Sequence, residues 1–165
     1  MITVRKTTEN EVILLSEIQK QAFMPLYERY HDEGNPYLRG SEDIEKRLNT
    51  EYFRCFTICN DEEIVGAIWY KCKGKCPFLD QLHAGEYYLQ RIFIKPEHQC
   101  KRIAQKAILL CEKEFSDAKY FSVDFPEDLI KNRRCYEKAG FCDSGKRLEV
   151  EPGLTLACFE KFIKE

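Results

Sequence analysis

The sequence predicts an α/β (α+β) fold with elements in the order β-α-α-β-β-β-α-β-α-β-β. Three observations carry that prediction. Short runs rich in aromatic and β-branched residues, such as Tyr87–Ile94, end at proline, glycine or charged turns, as strands do. Just after one of them, between Pro96 and Ile103, the apolar spacing changes from strand-like to helical. Finally, 44% of the 165 residues are hydrophobic and spread along the whole chain, which supplies a substantial core and excludes disorder. Repeats, low-complexity segments and linkers are absent, so residues 1–165 are expected to form a single domain.

Ile2–Lys6 alternates as a first strand, and Thr8 with Glu11 forms a capping-box signature opening an amphipathic helix. Val12, Leu15, Ile18, Ala22, Phe23 and Leu26 share one face of it. Gly34, Pro36 and Gly40 then break regular structure, and Ser41 is expected to cap a short helix ending near Asn49. The acidic, aromatic stretch with Tyr27, Tyr30, Asp32, Glu33 and Tyr37 reads equally as a substrate lid or as a solvated connection. Phe53–Cys59 and Ile64–Cys72 flank the turn NDEE as a buried hairpin in which Gly66 marks a bulge. A polar loop, Lys73–Gly85, leads to the strand Tyr87–Ile94, which Pro96 stops. From Gln99 the positions Ile103, Ala104, Ala107, Ile108, Cys111 and Phe115 define a helix. Lys119–Asp124 is a short strand, Leu129–Ala139 a helix closed by Gly140, and Phe141–Val150 and Leu154–Ile163 the last two strands.

Charge and composition exclude several functions. The 26 basic and 28 acidic residues are interspersed and leave a net charge of −2, so no basic face argues for nucleic acid. No apolar run approaches the ~20 residues of a membrane span, and a cytosolic setting is expected. The nine cysteines are odd in number and lie largely inside apolar elements, which suits free thiols. Cys55, Cys59, Cys72 and Cys76 form two C-x-x-x-C pairs, but zinc knuckles space their cysteines more tightly, and no metal is expected. His31, His83 and His98 are scattered, without ligand spacing, and read as surface or loop residues.

The strand-to-helix junction after Pro96 is the clearest chemical feature. The first N–H groups of a helix lack intrahelical partners and carry the positive end of its dipole, which makes an anion site. Gln99, Cys100, Lys101, Arg102, Ile103 and Ala104 supply such donors, and Lys101 and Arg102 add full charge, a set that suits a diphosphate. An ordinary connection with solvated basic residues fits the same stretch.

The segments IFIKPEHQCKRIAQKAI and RRCYEKAGF, in this order within this series of elements, resemble the GNAT superfamily of acyl-CoA-dependent N-acyltransferases over nearly the whole chain. The second segment is especially similar to the C-terminal motif of bacterial aminoglycoside and small-amine N-acetyltransferases. The resemblance implies a mixed, mostly antiparallel, splayed sheet of six to seven strands flanked by about four helices, binding acetyl-CoA as co-substrate. Gln99–Ala104 matches the family's pyrophosphate loop, Q/R-x-x-G-x-G/A, at Gln99 and Ala104, whereas Arg102 stands where glycine is usual. The notable consequence is a side chain where backbone ordinarily meets phosphate. Ile92 and Ile94 match positions whose main-chain groups pair with the pantetheine amides, with Phe93 between them pointing to the core.

Tyr136, in Tyr136-x-x-x-Gly140-Phe141, matches the family's tyrosine, implied to protonate the departing coenzyme A thiolate. A phenol, with an ordinary pKa of about 10, is protonated at neutral pH and suits that step. Asn132, one turn earlier, is a cofactor contact by position; the family more often has its asparagine a further turn back, at Leu129. With regular alternation, Glu86 shares a face with Ile92 and Ile94 and is the candidate base through water, although a bulge between them reverses that face and a solvated strand-end glutamate fits the same position. The implied acceptor is a primary amine, and the acidic and tyrosine residues suit a small cationic one. A non-catalytic coenzyme A binding or regulatory module is the alternative that Arg102 and Leu129 motivate. A homodimer through the C-terminal strands is a further arrangement the sequence leaves open.

Overall fold

The computed structural model describes residues 1–164. Strand β1 (Ile2–Lys6) leads through a 3-10 turn at Glu9–Glu11 into α1 (Val12–Tyr30), and a turn at Pro36–Leu38 precedes α2 (Ser41–Leu48). Next come β2 (Phe53–Asn60), β3 (Glu63–Lys71), a ribbon of β4 (Gly74–Cys76) and β5 (Leu79–Leu82), and β6 (Glu86–Ile94). A turn at Pro96–His98 is followed by α3 (Ile103–Glu112), β7 (Tyr120–Pro126), α4 (Ile130–Lys138), β8 (Cys142–Glu151) and β9 (Leu154–Phe162). Seven strands form one sheet in the order β1-β2-β3-β6-β7-β9-β8. All neighbours in it are antiparallel except β6 and β7.

The four helices and the mixed sheet agree with the sequence reading; the ribbon does not. Residues 73–85 were expected to be a loop, but β4 and β5 pair with each other there. Strands of three and four residues are too short to show an alternation. Ser41 is likewise not a cap: extended Gly40 holds the N-cap position and Ser41 is the first helical residue. The capping box at Thr8 does form, its Glu11 carboxylate accepting the Thr8 N–H at 2.9 Å, and it closes the 3-10 turn that feeds α1. Glu11 also accepts from Arg5 at 2.6 Å and from Thr57 at 3.1 Å. Burial alone would raise its pKa, but these donors outweigh burial and hold it at about 2.

The sheet is covered on both faces. Against α3 and α4 pack Ile58, Val65, Ile68, Tyr70, Tyr87, Leu89, Phe121, Val123 and Phe125, with Ile103, Ile108 and Tyr136 from the helices. Against α1 and α2 pack Ala67, Trp69 and Phe93, meeting Val12, Leu15, Ile18 and Ile44.

Two bulges change which residues serve each face. Cys59 pairs Ile64 and Ile58 pairs Gly66, so Val65 is the extra residue in β3. The sequence reading of Gly66 is right in kind, since a Cβ there would lie 2.0 Å from the Phe93 carbonyl oxygen. In β6, Arg91 pairs Trp69 and Leu89 pairs Tyr70, which leaves Gln90 unpaired.

Candidate active site

Strands β6 and β7 run in register only from Glu86–Tyr120 to Leu89–Val123. Beyond that point they part, and a cavity of about 580 Å³ opens between their ends, bounded by α1, the β6–α3 loop and α4. Its walls bring together Ile92, Phe93, Ile94, Gln99, Cys100, Arg102, Ile103, Ala104, Asn132 and Tyr136. These come from two motifs far apart in sequence. Lys101, expected with them, is exposed and does not wall the cavity.

The strand end supplies main-chain groups. Lys95 donates its N–H to Val65 at 2.8 Å, so by alternation Phe93 also faces β3, while Ile92 and Ile94 direct theirs to the gap left by β7. The Ile94 carbonyl accepts the Gln99 side-chain amide at 2.9 Å, which ties the loop to the strand. Ile92 keeps both groups directed at the gap.

The loop departs from expectation in its backbone. Arg102 lies at φ 64, ψ 14, and Cys100 at φ 63. Both are left-handed, a region that costs an ordinary residue about 1–2 kcal/mol and glycine nothing. A glycine, which the resemblance would place at this position, enters that region freely; here an arginine occupies it. Arg102 is the N-cap of α3, so the first free N–H groups of the helix open beside a guanidinium.

Tyr136 is buried in the wall, its ring 5.2 Å from that of Phe125 and 6.1 Å from that of Phe141. Burial foremost, and then the charges of Cys135 and Asp124, raise its pKa above that of an ordinary phenol, so it is a proton donor throughout the neutral range. Among the described residues its hydroxyl has no hydrogen-bond partner.

Glu86 is placed differently from the expectation built on regular alternation. The extra residue Gln90 reverses the face of β6, so Tyr87 and Leu89 share the α3/α4 side with Ile92 and Ile94, and Glu86 and Tyr88 point the other way. Glu86 also sits at the paired end of β6, outside the cavity walls, its carboxylate accepting the His83 N–H at 2.7 Å.

Other wall residues went unread in the sequence. Lys131, Arg134 and Lys138 bring three cations to the cavity from one side of α4, spaced by three and four residues. That spacing was a usable signal. Phe23, Pro25 and Leu26 of α1 form the opposite wall. His98, in the β6–α3 loop as a loop residue was expected to be, also lines it, with Nε2 at 3.2 Å from Glu63 and a buried Nδ1 lacking a partner.

The end of α1 is fastened across the molecule. Tyr30 donates to Asp128 at 2.5 Å and Arg29 to the same carboxylate at 2.6 Å, joining α1 to the β7–α4 connection. Tyr27 stacks on Tyr37 at 5.2 Å. The candidate lid is thus hydrogen-bonded and stacked in place.

Among the described residues no group of histidine, cysteine or acidic side chains is arranged to hold a metal, all nine cysteines are free, and no helix is long and apolar enough to cross a membrane. Cys100 and Cys142 are exposed, unlike the buried thiols expected from composition.

A model of the acetyltransferase (GNAT) family matches residues 15–141. No curated protein matches the chain. Among solved structures, PaiA N-acetyltransferase from Thermoplasma acidophilum in complex with coenzyme A is similar with TM-score 0.74 and 18% identity, covering 99% of each chain. AAC(6')-Ib in complex with ribostamycin and coenzyme A has TM-score 0.76 and 16% identity, over 98% of this chain and 93% of that one. Spermidine N-acetyltransferase from Vibrio cholerae, in complex with coenzyme A and spermine, has TM-score 0.74 and 14% identity, over 98% and 95%. At these identities the likeness establishes the fold.

Proposed function

The chain belongs to the acetyltransferase (GNAT) family, an acetyl-CoA-dependent acyltransferase, and on that premise we propose that it moves the acetyl group to a primary amine of a small cationic acceptor by direct attack. The observation that carries this is the cavity at the β6–β7 parting. It gathers Gln99, Cys100, Arg102, Ile103 and Ala104 of the loop with Ile92 and Tyr136 around one space. In this reading the N–H groups at the start of α3, with Arg102 and the cations of α4, hold the cofactor's phosphates. Ile92 and Ile94 receive the pantetheine as an added strand, with Asn132 beside it. When bound, coenzyme A supplies the activated thioester; the protein aligns it and answers the charge on sulfur.

The acetyl carbonyl is attacked by the amine nitrogen, the C–N bond forms, and the C–S bond breaks with its electron pair passing to sulfur. Tyr136 gives that sulfur its proton. Asp32, Glu33 and the tyrosines near them follow α1, whose Phe23, Pro25 and Leu26 wall the cavity, and their acidic character suits a cationic amine. The solved relatives named for spermidine, and in complex with an aminoglycoside, support this class of acceptor. The free cysteines suit a cytosolic setting. We propose further that the whole chain serves as one catalytic domain and that a homodimer would form through the C-terminal strands, of which β8 lies at the sheet edge.

Calorimetric titration with acetyl-CoA tests the cofactor site, and thiol release with spermidine, ribostamycin and a short free-amine peptide tests transfer. Tyr136→Phe should lower kcat about 100-fold while leaving acetyl-CoA affinity within twofold; an unchanged kcat removes the acid role. A second reading, a coenzyme A binding module without turnover, is favoured by the two left-handed non-glycine residues of the loop and by Leu129. It requires acetyl-CoA binding with no thiol release for any amine.

A further inference from the structure

The face of the sheet opposite Tyr136 carries a buried polar group that the acetyl-transfer reading has not used. The Tyr88 hydroxyl donates to Asp124 at 2.7 Å. Asp124 directly follows Val123, the last residue of β7 in register with β6, so it stands where the two strands part. Val123 and Phe125 pack toward α3 and α4, so alternation turns Asp124 and Ser122 to the other side, the side of Tyr88. The ring of Phe125, next in sequence, lies against Tyr136. A phenol and a carboxylate therefore flank β7 from opposite faces beside the parting, Tyr136 in the cavity wall and Asp124 behind it, on the side of Tyr88 and the β4–β5 ribbon.

The surroundings of Asp124 are unusual for a carboxylate. Its charge bears on Tyr88 of β6, Cys76 of β4, Cys158 of β9 and Tyr136 of α4, with Lys71 acting on the same Cys76 and Lys146 on the same Cys158. Asp124 itself forms no ion pair with any described residue. The Ser122 hydroxyl, on the same side, is buried without a hydrogen-bond partner. Burial pushes the Asp124 carboxyl up to about 6, against the lowering effect of the Tyr88 hydrogen bond. It is ionised at neutral pH and a stronger base than a solvated carboxylate.

We propose that Asp124, oriented by the Tyr88 hydroxyl, binds the acceptor's ammonium group and takes the proton that frees its lone pair. The proposal rests on the acetyl-transfer reading and assigns it a base. One N–H bond of the ammonium breaks as the Asp124 O–H bond forms. The amine nitrogen then bonds to the acetyl carbon, and the C–S electron pair passes to sulfur, which takes the Tyr136 proton. The second surplus proton on nitrogen returns to the Tyr136 oxygen, and Asp124 releases its own to water, so one proton leaves per turnover.

The test uses thiol release with whichever of spermidine, ribostamycin or the peptide the wild type acetylates fastest. The wild-type pH profile of kcat/KM should rise through an acidic limb near 6. Asp124→Asn should lower kcat/KM at least 100-fold and abolish that limb, with acetyl-CoA affinity within twofold of wild type. Asp124→Glu should restore part of the rate and keep a limb. Tyr88→Phe, losing a hydrogen bond to the ionised carboxyl, should shift the limb to higher pH. Wild-type turnover with an Asp124→Asn variant that keeps the limb and stays within threefold of the wild-type rate overturns the Asp124 role alone. Wild type that releases no thiol with any of the three amines overturns the acetyl-transfer reading and this proposal with it.

Discussion

Arg102→Gly isolates the conformational oddity of the loop. At φ 64, ψ 14 the arginine occupies a backbone region open to glycine without penalty. Relief of the Cβ clash contributes about 1–2 kcal/mol, and the greater freedom of glycine in the unfolded chain takes back about 0.5–1 kcal/mol. The net gain is about 0.5–1 kcal/mol. For 165 residues, an unfolding entropy of about 2.1 cal/mol/K per residue turns that into a rise in Tm of about 1–3 °C. Arg102→Ala keeps the Cβ and should show no such rise, which separates backbone from charge. In acetyl-CoA titrations the order should be wild type tightest, Ala about five- to tenfold weaker for the lost cation, and Glu weaker still. Thermal scans of the three variants beside wild type, with and without acetyl-CoA, give both readouts. A Tm for Arg102→Gly at or below that of Arg102→Ala would refute the left-handed assignment. Tighter acetyl-CoA binding by Arg102→Glu would refute a phosphate at this loop.

Gly66→Ala should lower stability by at least 2 kcal/mol, or stop accumulation of folded protein, because its Cβ would meet the Phe93 carbonyl oxygen at 2.0 Å; circular dichroism melts measure it. Glu11→Gln should cost about 2 kcal/mol through its bonds to Arg5, Thr8 and Thr57. Because Glu11 titrates near 2 in the folded chain against an ordinary 4.5, that stabilisation is complete above about pH 4.5 and fades as pH falls toward 2, so the wild-type and variant melting curves should converge in acid. Asp124→Asn has the opposite sign. Folded Asp124 titrates near 6 against an ordinary 3.8, so wild type loses stability as pH rises between those values; the variant should melt higher at pH 7.5, with no advantage below pH 4.

Much of the architecture is legible because the strongest signals are local. Tyr87–Ile94, Pro96 and the helical spacing from Ile103 define β6, its stop and α3 without tertiary information. Tyr136 and the Gln99–Ala104 loop were found as motifs, and the fold brings them to one cavity. What the sequence hides is what neighbours decide. The stretch EYYLQRIFI shows no glycine or proline at which to expect an irregularity, yet pairing with β3 leaves Gln90 out of register. Every assignment of faces that crossed it, Glu86 included, was therefore reversed. The left-handed turn at Arg102 was masked because side chains other than glycine rarely adopt it. Asp124 did leave a trace, a lone carboxylate inside the apolar run YFSVDFP, where burial is costly unless something compensates for it.

The bulge at Gln90 links fold to site. Without the extra residue, the alternation that buries Tyr87 and Leu89 against α3 and α4 would carry Arg91 into that apolar layer and turn Ile92 and Ile94 away from it. With it, Arg91 points to the α1/α2 side, where it donates to Gln19 at 2.9 Å and pairs with Asp43 at 3.1 Å. Gln90 itself accepts from Arg47 of α2 at 3.0 Å. The first two helices thus hold the bulged residue and its neighbour from one side. On the other side, register with β7 ends at Leu89, one residue before the bulge, and added local twist is what a bulge contributes. A single unpaired residue thereby keeps a cationic side chain out of the core, turns the isoleucine pair toward α3 and α4, and lies where the strands part to admit a ligand chain. A straight β6 would close that gap by continuing the ladder with β7, and the two motifs would then face each other across a filled sheet.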